Sequence, residues 1–167
     1  MRVAAWRRDY KEYRPKSALG YLTPEEFAYE VDMHNYLAKN LSMLEPGLRV
    51  YEEEGITGVE FPVGGRFIDI LATDANGGLV VIELKVSRGY DRVDGQLMRC
   101  VAWIKKNLAE PSQNVRGAIL AREISEDLML ACSMVLGVAL FERAGPGNSD
   151  SGISVSLAPQ RPRSGPE

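Results

Sequence analysis

Two strongly apolar segments, Arg66–Thr73 and Leu79–Val86, are separated only by Asp74-Ala75-Asn76-Gly77-Gly78, and each carries charge in its interior. That linker has the composition of a tight hairpin loop, so the two segments are expected to pair as antiparallel strands. Asp69 sits inside Phe67-Ile68-Asp69-Ile70-Leu71, and Glu83 and Lys85 sit inside Leu79-Val80-Val81-Ile82-Glu83-Leu84-Lys85-Val86. Alternation along a strand puts Glu83 and Lys85 on one face. With Ala75-Asn76-Gly77 as the loop and Gly77 in its left-handed position, the register sets Asp69 opposite Glu83, with Cα atoms ~4.5–5.5 Å apart. A loop one residue longer or shorter would break that pairing.

Two carboxylates at that distance repel, and burial raises the cost of keeping both ionised. A divalent cation compensates directly, and oxygen ligands with room for several waters suit Mg2+ or Mn2+. Lys85 can hold a water or hydroxide nearby and offset charge building on a phosphate oxygen. The implied chemistry is hydrolysis of a phosphodiester by a metal-activated water. An E-x-K tripeptide alone is a weak signal, since such pairs are abundant on solvated helices and edge strands. Set on an apolar strand opposite an inward aspartate, it favours a functional site over a structural ion pair.

The flanking sequence supplies the layers around this hairpin. Thr23-Pro24-Glu25-Glu26 combines an N-cap, a first-turn proline and a third-position glutamate, so a helix starts there. Met33, Leu37, Leu41 and Leu44 continue its apolar stripe until Pro46-Gly47. Strands are expected at Leu48–Glu53 and Val59–Val63, ahead of the central hairpin. Beyond Arg88-Gly89 the spacing of Val93, Leu97, Val101, Ile104 and Leu108 is helical and closes at Pro111. Val115–Ala121 reads as a strand, Ser125 as the cap of a short helix, and Met134–Phe141 as the final strand. The fold class is α/β, a sandwich with a mixed central sheet flanked by helices. Ala144–Glu167, rich in glycine, proline and serine, is expected to be a disordered tail.

At 167 residues the chain has room for one sizeable core. Cys100 and Cys132 lie in apolar stretches without C-x-x-C spacing, so neither a zinc site nor a disulfide framework is suggested. The start of the chain has no secretory pattern, and Leu128–Phe141 falls short of the ~20 residues of a membrane span. A cytoplasmic setting without membrane contact is the expectation. The net charge of −3 and pI of about 5.4 lack the basic footprint of a stand-alone nucleic-acid binder. Charge is nevertheless uneven: Lys85, Arg88, Arg92, Arg99, Lys105 and Lys106 are set against Asp91 and Asp94 alone. A solvated helix face is the commoner source of such a run, and a phosphate-facing surface beside an acidic centre is the functional one.

Weaker candidates stand around the pair. Glu30 on the first helix could complete a carboxylate cluster, although a helical glutamate is by default a surface residue. Gln96, one turn into the long helix, could reach a phosphate or Lys85, with an exposed helix position as the alternative. His34 is the single histidine, which rules out a two-histidine mechanism, and it reads as a surface or internally satisfied residue. Gly64-Gly65-Arg66 lacks the lysine and hydroxyl of a P-loop and reads as a bend before a strand.

At Gly65-Arg66-Phe67-Ile68-Asp69-Ile70-Leu71, Leu79-Val80-Val81-Ile82-Glu83-Leu84-Lys85 and Gly95-Gln96-Leu97-Met98-Arg99, the sequence resembles the catalytic domain of the NucS endonucleases, also called the EndoMS group. These are nucleases of the PD-(D/E)xK, restriction-endonuclease-like fold. The similarity runs from Glu30 to about Glu142 and includes Asn40-Leu41, Leu44-Glu45-Pro46-Gly47-Leu48 and Arg116-Gly117. It implies a nuclease domain over 29–143 and a Mg2+ or Mn2+ site formed by Asp69, Glu83 and the carbonyl of Leu84, with Lys85 serving the nucleophilic water. It also maps Glu30 onto a helical acid and Gln96 onto the glutamine of that fold. The expected partner is DNA that is single-stranded, mismatched or branched, gripped by Arg66, Arg88, Arg92 and Arg99. One cut site per small domain makes a homodimer the expected working form. Cys100 stands where the family usually has tyrosine, and no counterpart of the family's N-terminal DNA-binding and dimerisation domain is seen, so mismatch specificity is not implied.

Residues 1–28 carry a second resemblance. Ala5-Trp6-Arg7-Arg8-Asp9-Tyr10 and Arg14–Ala28 resemble the extreme C-terminal end of insertion-sequence transposases with an integrase-like DDE core. Those enzymes hold their catalytic acids upstream of this stretch, so it reads as a fused remnant or start-site artefact rather than a transposase. The competing functional expectation is therefore a catalytically idle DNA- or protein-binding remnant of the nuclease.

Overall fold

The computed structural model describes residues 24–85, 93–135, 137–143 and 153–156, with the backbone alone for 24–31, 93–94 and 153–156. Helix α1 spans Pro24–Lys39 and is followed by a 3-10 turn, Leu41–Met43. Then come β1 (Arg49–Val50), β2 (Glu52–Glu53), β3 (Ile56–Thr57), β4 (Val59–Val63), β5 (Arg66–Thr73) and β6 (Leu79–Lys85). Helix α2 (Val93–Asn107), β7 (Val115–Ala121), α3 (Glu126–Ser133), β8 (Val138–Arg143) and β9 (Ile153–Ser156) complete the order.

The turn after β5 sets the centre of the sheet. Gly77 adopts φ +81°, its N–H bonds the Asp74 carbonyl, and the Asp74 N–H bonds the Gly78 carbonyl. The Asp74 carboxylate also accepts from the N–H groups of Asn76 and Gly78, fixing the loop from inside. The register that results pairs Thr73 with Leu79, Ala72 with Val80, Leu71 with Val81 and Ile70 with Ile82. This is the register expected from the turn composition.

Among the described residues the sheet has seven strands in the order β1-β5-β6-β7-β8-β9, with β4 also on β5. The β6–β7 and β7–β8 pairs are parallel and the others antiparallel. Parallel neighbours require crossover connections, which α2 and α3 occupy. One face buries Met33, Leu37, Leu41 and Leu44 against Ile70, Ala72, Val80, Ile82 and Leu120. The other buries Leu97, Val101, Ile104 and Leu128 against Leu71, Val81, Ile119 and Leu140. The mixed, helix-flanked α/β sheet is thus as expected. Ser125 caps α3 through its hydroxyl, which accepts from the Leu128 N–H.

Three boundaries differ from expectation. The strand expected over Leu48–Glu53 is interrupted: Tyr51 and Gly58 both bond Leu71, and between them β2 and β3 leave the sheet as a separate two-stranded hairpin. Glycine is required at position 58 by that close approach, because a Cβ there would lie 2.0 Å from the Leu71 carbonyl oxygen. The last core strand begins at Val138 rather than Met134, since Met134 ends α3 as its C-cap. The tail expected to be disordered contributes β9, whose alternating Ile153 and Val155 pair with Arg143 and Phe141. Gly64-Gly65, expected as a bend, is the two-residue turn of the β4–β5 hairpin, with Val63 paired to Arg66. Residues 1–23, including the Thr23 cap and most of the transposase-like segment, lie outside the described residues. Among those described, no helix is long and apolar enough to cross a membrane.

Candidate metal centre

Beyond the Ile70–Ile82 pair, the side chain of Asp69 replaces a backbone partner: its Oδ2 accepts from the Leu84 N–H at 2.7 Å. This bond brings Asp69 and β6 together at the carboxyl end of β6, away from the Asp74–Gly78 turn. Glu83 and Lys85 are both buried, at 7% and 8% exposure, and among the described residues the buried polar and charged set is otherwise Asp74. Alternation from Val81, which packs against α2, puts Glu83 and Lys85 on the α2 side of the sheet. Lys85 lies beside Ala121 and Glu83 beside Ile119 of β7.

The carboxyl groups of Asp69 and Glu83 lie close enough for each to shift the other's titration. Burial, and then the Asp69 carboxylate, push Glu83 up to about 9. Burial also raises Asp69, opposed by the Leu84 N–H and by His34. Glu83 Oε1 is buried without a hydrogen-bond partner. A carboxylate oxygen in that state, beside a second carboxyl, is relieved by a divalent cation more directly than by any neutral donor. The residues therefore fit a hard metal ion. The Leu84 carbonyl fits as well: the Lys85 carbonyl accepts from Arg122 on the β7 side, so the preceding carbonyl faces β5 and Asp69. Among the described residues no group of three or more His, Cys, Asp or Glu side chains could hold a metal. The donors that such an ion would find are two carboxylates and a backbone carbonyl.

The other expected residues are placed unevenly. Gln96, half-buried, is one turn before Cys100 on α2, and Cys100 is buried close enough to Glu83 to feel its charge. Burial first, then Glu83, push the Cys100 thiol up to about 11, with Arg66 and Arg99 acting in the opposite direction. Those two arginines are exposed, one at the start of β5 and one on α2, so both flank the centre. Glu30 lies in α1, and its side chain is outside the described set, as are Arg88 and Arg92 entirely. Two neighbours were not singled out by spacing. His34 Nε2 is 2.9 Å from the Asp69 carbonyl oxygen. Glu60, whose charge raises Asp69, holds φ +49°, a left-handed backbone rare outside glycine. Burial of Met33 and Leu37 turns His34 toward the sheet, which was a readable signal; the Glu60 conformation had none.

Residues 29–142 match the family described as the endonuclease NucS C-terminal domain. The chain belongs to that family. Endonuclease NucS 2 of Halobacterium salinarum is 38% identical over 104 residues, covering 62% of this chain and 38% of that protein. The chain thus spans well under half the length of that NucS relative. The crystal structure of a repair endonuclease from Pyrococcus abyssi superposes with a TM-score of 0.55 at 25% identity, over 66% of this chain and 45% of that one. A separate segment is 69% identical over 26 residues to an uncharacterised 31.7 kDa protein of insertion element IS407 from Burkholderia multivorans, covering 16% of this chain and 9% of that protein. Arg116 bonds both Glu45 carboxylate oxygens at 2.7 and 2.8 Å and reaches Asp74 at 3.4 Å, tying the chain after α1 to the central turn.

Proposed function

We propose that this chain is a divalent-metal-dependent DNA endonuclease, with Asp69, Glu83 and Lys85 at its centre. The observation that carries this reading is the buried Asp69–Glu83 pair, with Glu83 Oε1 lacking a partner and the buried Lys85 on the same strand face. The endonuclease names of the relatives support it.

Asp69, Glu83 and the Leu84 carbonyl would hold Mg2+ or Mn2+. Such an ion supplies Lewis acidity toward a phosphate oxygen and lowers the pKa of a water in its shell. Lys85 then orients the attacking water and offsets negative charge gathering on the phosphoryl oxygens. The Leu84 N–H keeps Asp69 oriented toward β6. Gln96 serves Lys85 or a phosphate, and Glu30 completes the acidic side. Arg66, Arg99, Arg88 and Arg92 hold the DNA backbone; such contacts position a strand without reading its sequence. The nuclease domain covers 29–143, works in the cytoplasm, and pairs as a homodimer when both strands are cut.

Cleavage of single-stranded, mismatched and branched DNA in Mg2+, Mn2+ and EDTA, with wild type beside Lys85→Ala, tests the reading. Metal-dependent cutting that is lost in the variant is expected, and the preferred DNA names the substrate class. A folded protein that cuts nothing under any condition would instead be an idle remnant.

A further inference from the structure

Asp69 lies where the sheet is least regular. Paired residues on the β6 side run as far as Ile70–Ile82. On the β4 side the register runs through Val59–Ile70 and Phe61–Ile68, and between them Glu60 holds its left-handed backbone facing Asp69. The alternation of faces also reverses here: Ile70 and Ala72 join the core under α1, whereas Ile68 joins the core under α2. A carboxylate that must meet a metal to within a fraction of an ångström is thus carried on a bent stretch of strand.

His34 supplies an anchor from outside the sheet. It lies on α1 between the buried Met33 and Leu37, is itself half-buried, and its Nε2 stands 2.9 Å from the Asp69 carbonyl oxygen. A carbonyl only accepts, so Nε2 carries the hydrogen and donates. Asp69 is therefore gripped at both ends, its carboxylate by the Leu84 N–H and its carbonyl by His34. The same bond ties α1, whose backbone includes Glu30 one turn earlier, to the strand bearing Asp69.

We infer that His34 is a positioning residue of the metal centre, holding Asp69 in ligating geometry through its Nε2–H rather than touching metal or DNA. This rests on the metal-site reading above. Partners that orient a ligand in this way typically change metal affinity by about 10–100-fold when removed.

The test compares wild type, His34→Gln and His34→Leu at one fixed pH, each verified as folded by circular dichroism. Both substitutions fill the position, and only glutamine can donate. Mn2+ binding is measured by calorimetry on protein without DNA, followed by the Mn2+ and DNA dependence of cleavage. The expected result is Mn2+ binding weakened about tenfold or more in His34→Leu and retained to within about threefold in His34→Gln. Cleavage by His34→Leu should recover at high Mn2+, with an unchanged KM for DNA. Should His34→Leu fail to fold, Mn2+ affinity in His34→Gln decides by itself, and a tenfold loss there overturns the inference. Equal Mn2+ binding by wild type and folded His34→Leu also overturns it and leaves the proposed function standing. A wild type that neither binds Mn2+ nor cuts overturns the proposed function, and this inference with it.

Discussion

Glu83→Gln should stabilise the metal-free protein while removing its activity, and the stabilisation should grow with pH. Glu83 is 7% exposed and its carboxyl is pushed up from 4.5 to about 9. A carboxyl raised in the folded state binds more protons folded than unfolded between those two values, so stability falls as pH rises through that window. Each unit corresponds to about 1.4 kcal/mol, which puts the penalty at pH 7 on the order of 3 kcal/mol, shared with Asp69 because the two titrate together. A glutamine has no charge to bury, and its amide can donate to Asp69. Urea unfolding of wild type and Glu83→Gln in EDTA at pH 5, 7 and 8.5 measures this. The expected difference is small at pH 5 and reaches roughly 5 kcal/mol in favour of the variant by pH 8.5. A difference independent of pH, or a variant less stable than wild type at pH 8.5, would refute the electrostatic reasoning.

Arg116→Ala should cost about 1–2 kcal/mol, the exposed side of Glu45 limiting the loss, and should leave Mn2+ binding intact; denaturant titration and calorimetry check both parts. Gly58→Ala forces a Cβ to within 2.0 Å of the Leu71 carbonyl, so a loss of about 3 kcal/mol or outright misfolding is expected in thermal unfolding. Cys100, buried and with its thiol raised to about 11, should resist iodoacetamide at pH 8 in the folded protein and react once urea is added. Rapid labelling of native protein at Cys100 would contradict its placement on the buried face of α2.

The central hairpin was legible because its determinants are local. Five turn residues fix the register as far as the Ile70–Ile82 pair, one position short of Asp69 and Glu83, and the bond from the Leu84 N–H to the Asp69 carboxylate takes over beyond it. The stripe Val93–Leu108 and the Ser125 cap were readable for the same reason, since helix period and capping act within a few residues. What was not legible depends on partners distant in sequence. Nothing near Tyr51 says that Leu71 will bond both Tyr51 and Gly58 and expel β2 and β3. Short polar residues around Ile153 and Val155 read as tail because the strand exists only through pairing with β8. In sequence, His34 reads as a satisfied or surface residue. It is satisfied, but by Asp69 itself, 35 positions away. The left-handed Glu60 opposite Asp69 has no sequence signature, because non-glycine residues hold that conformation only when surrounding structure enforces it.

The most direct test of the central claim is incubation of circular single-stranded DNA, which has no ends, with wild type and Asp69→Ala in Mg2+, Mn2+ or EDTA. Linearised DNA from wild type with either metal, and intact circles with EDTA or Asp69→Ala, is the expected result. Intact circles from folded wild type in both metals, or cutting that survives EDTA or the loss of Asp69, would contradict a metal-dependent endonuclease built on this carboxylate pair.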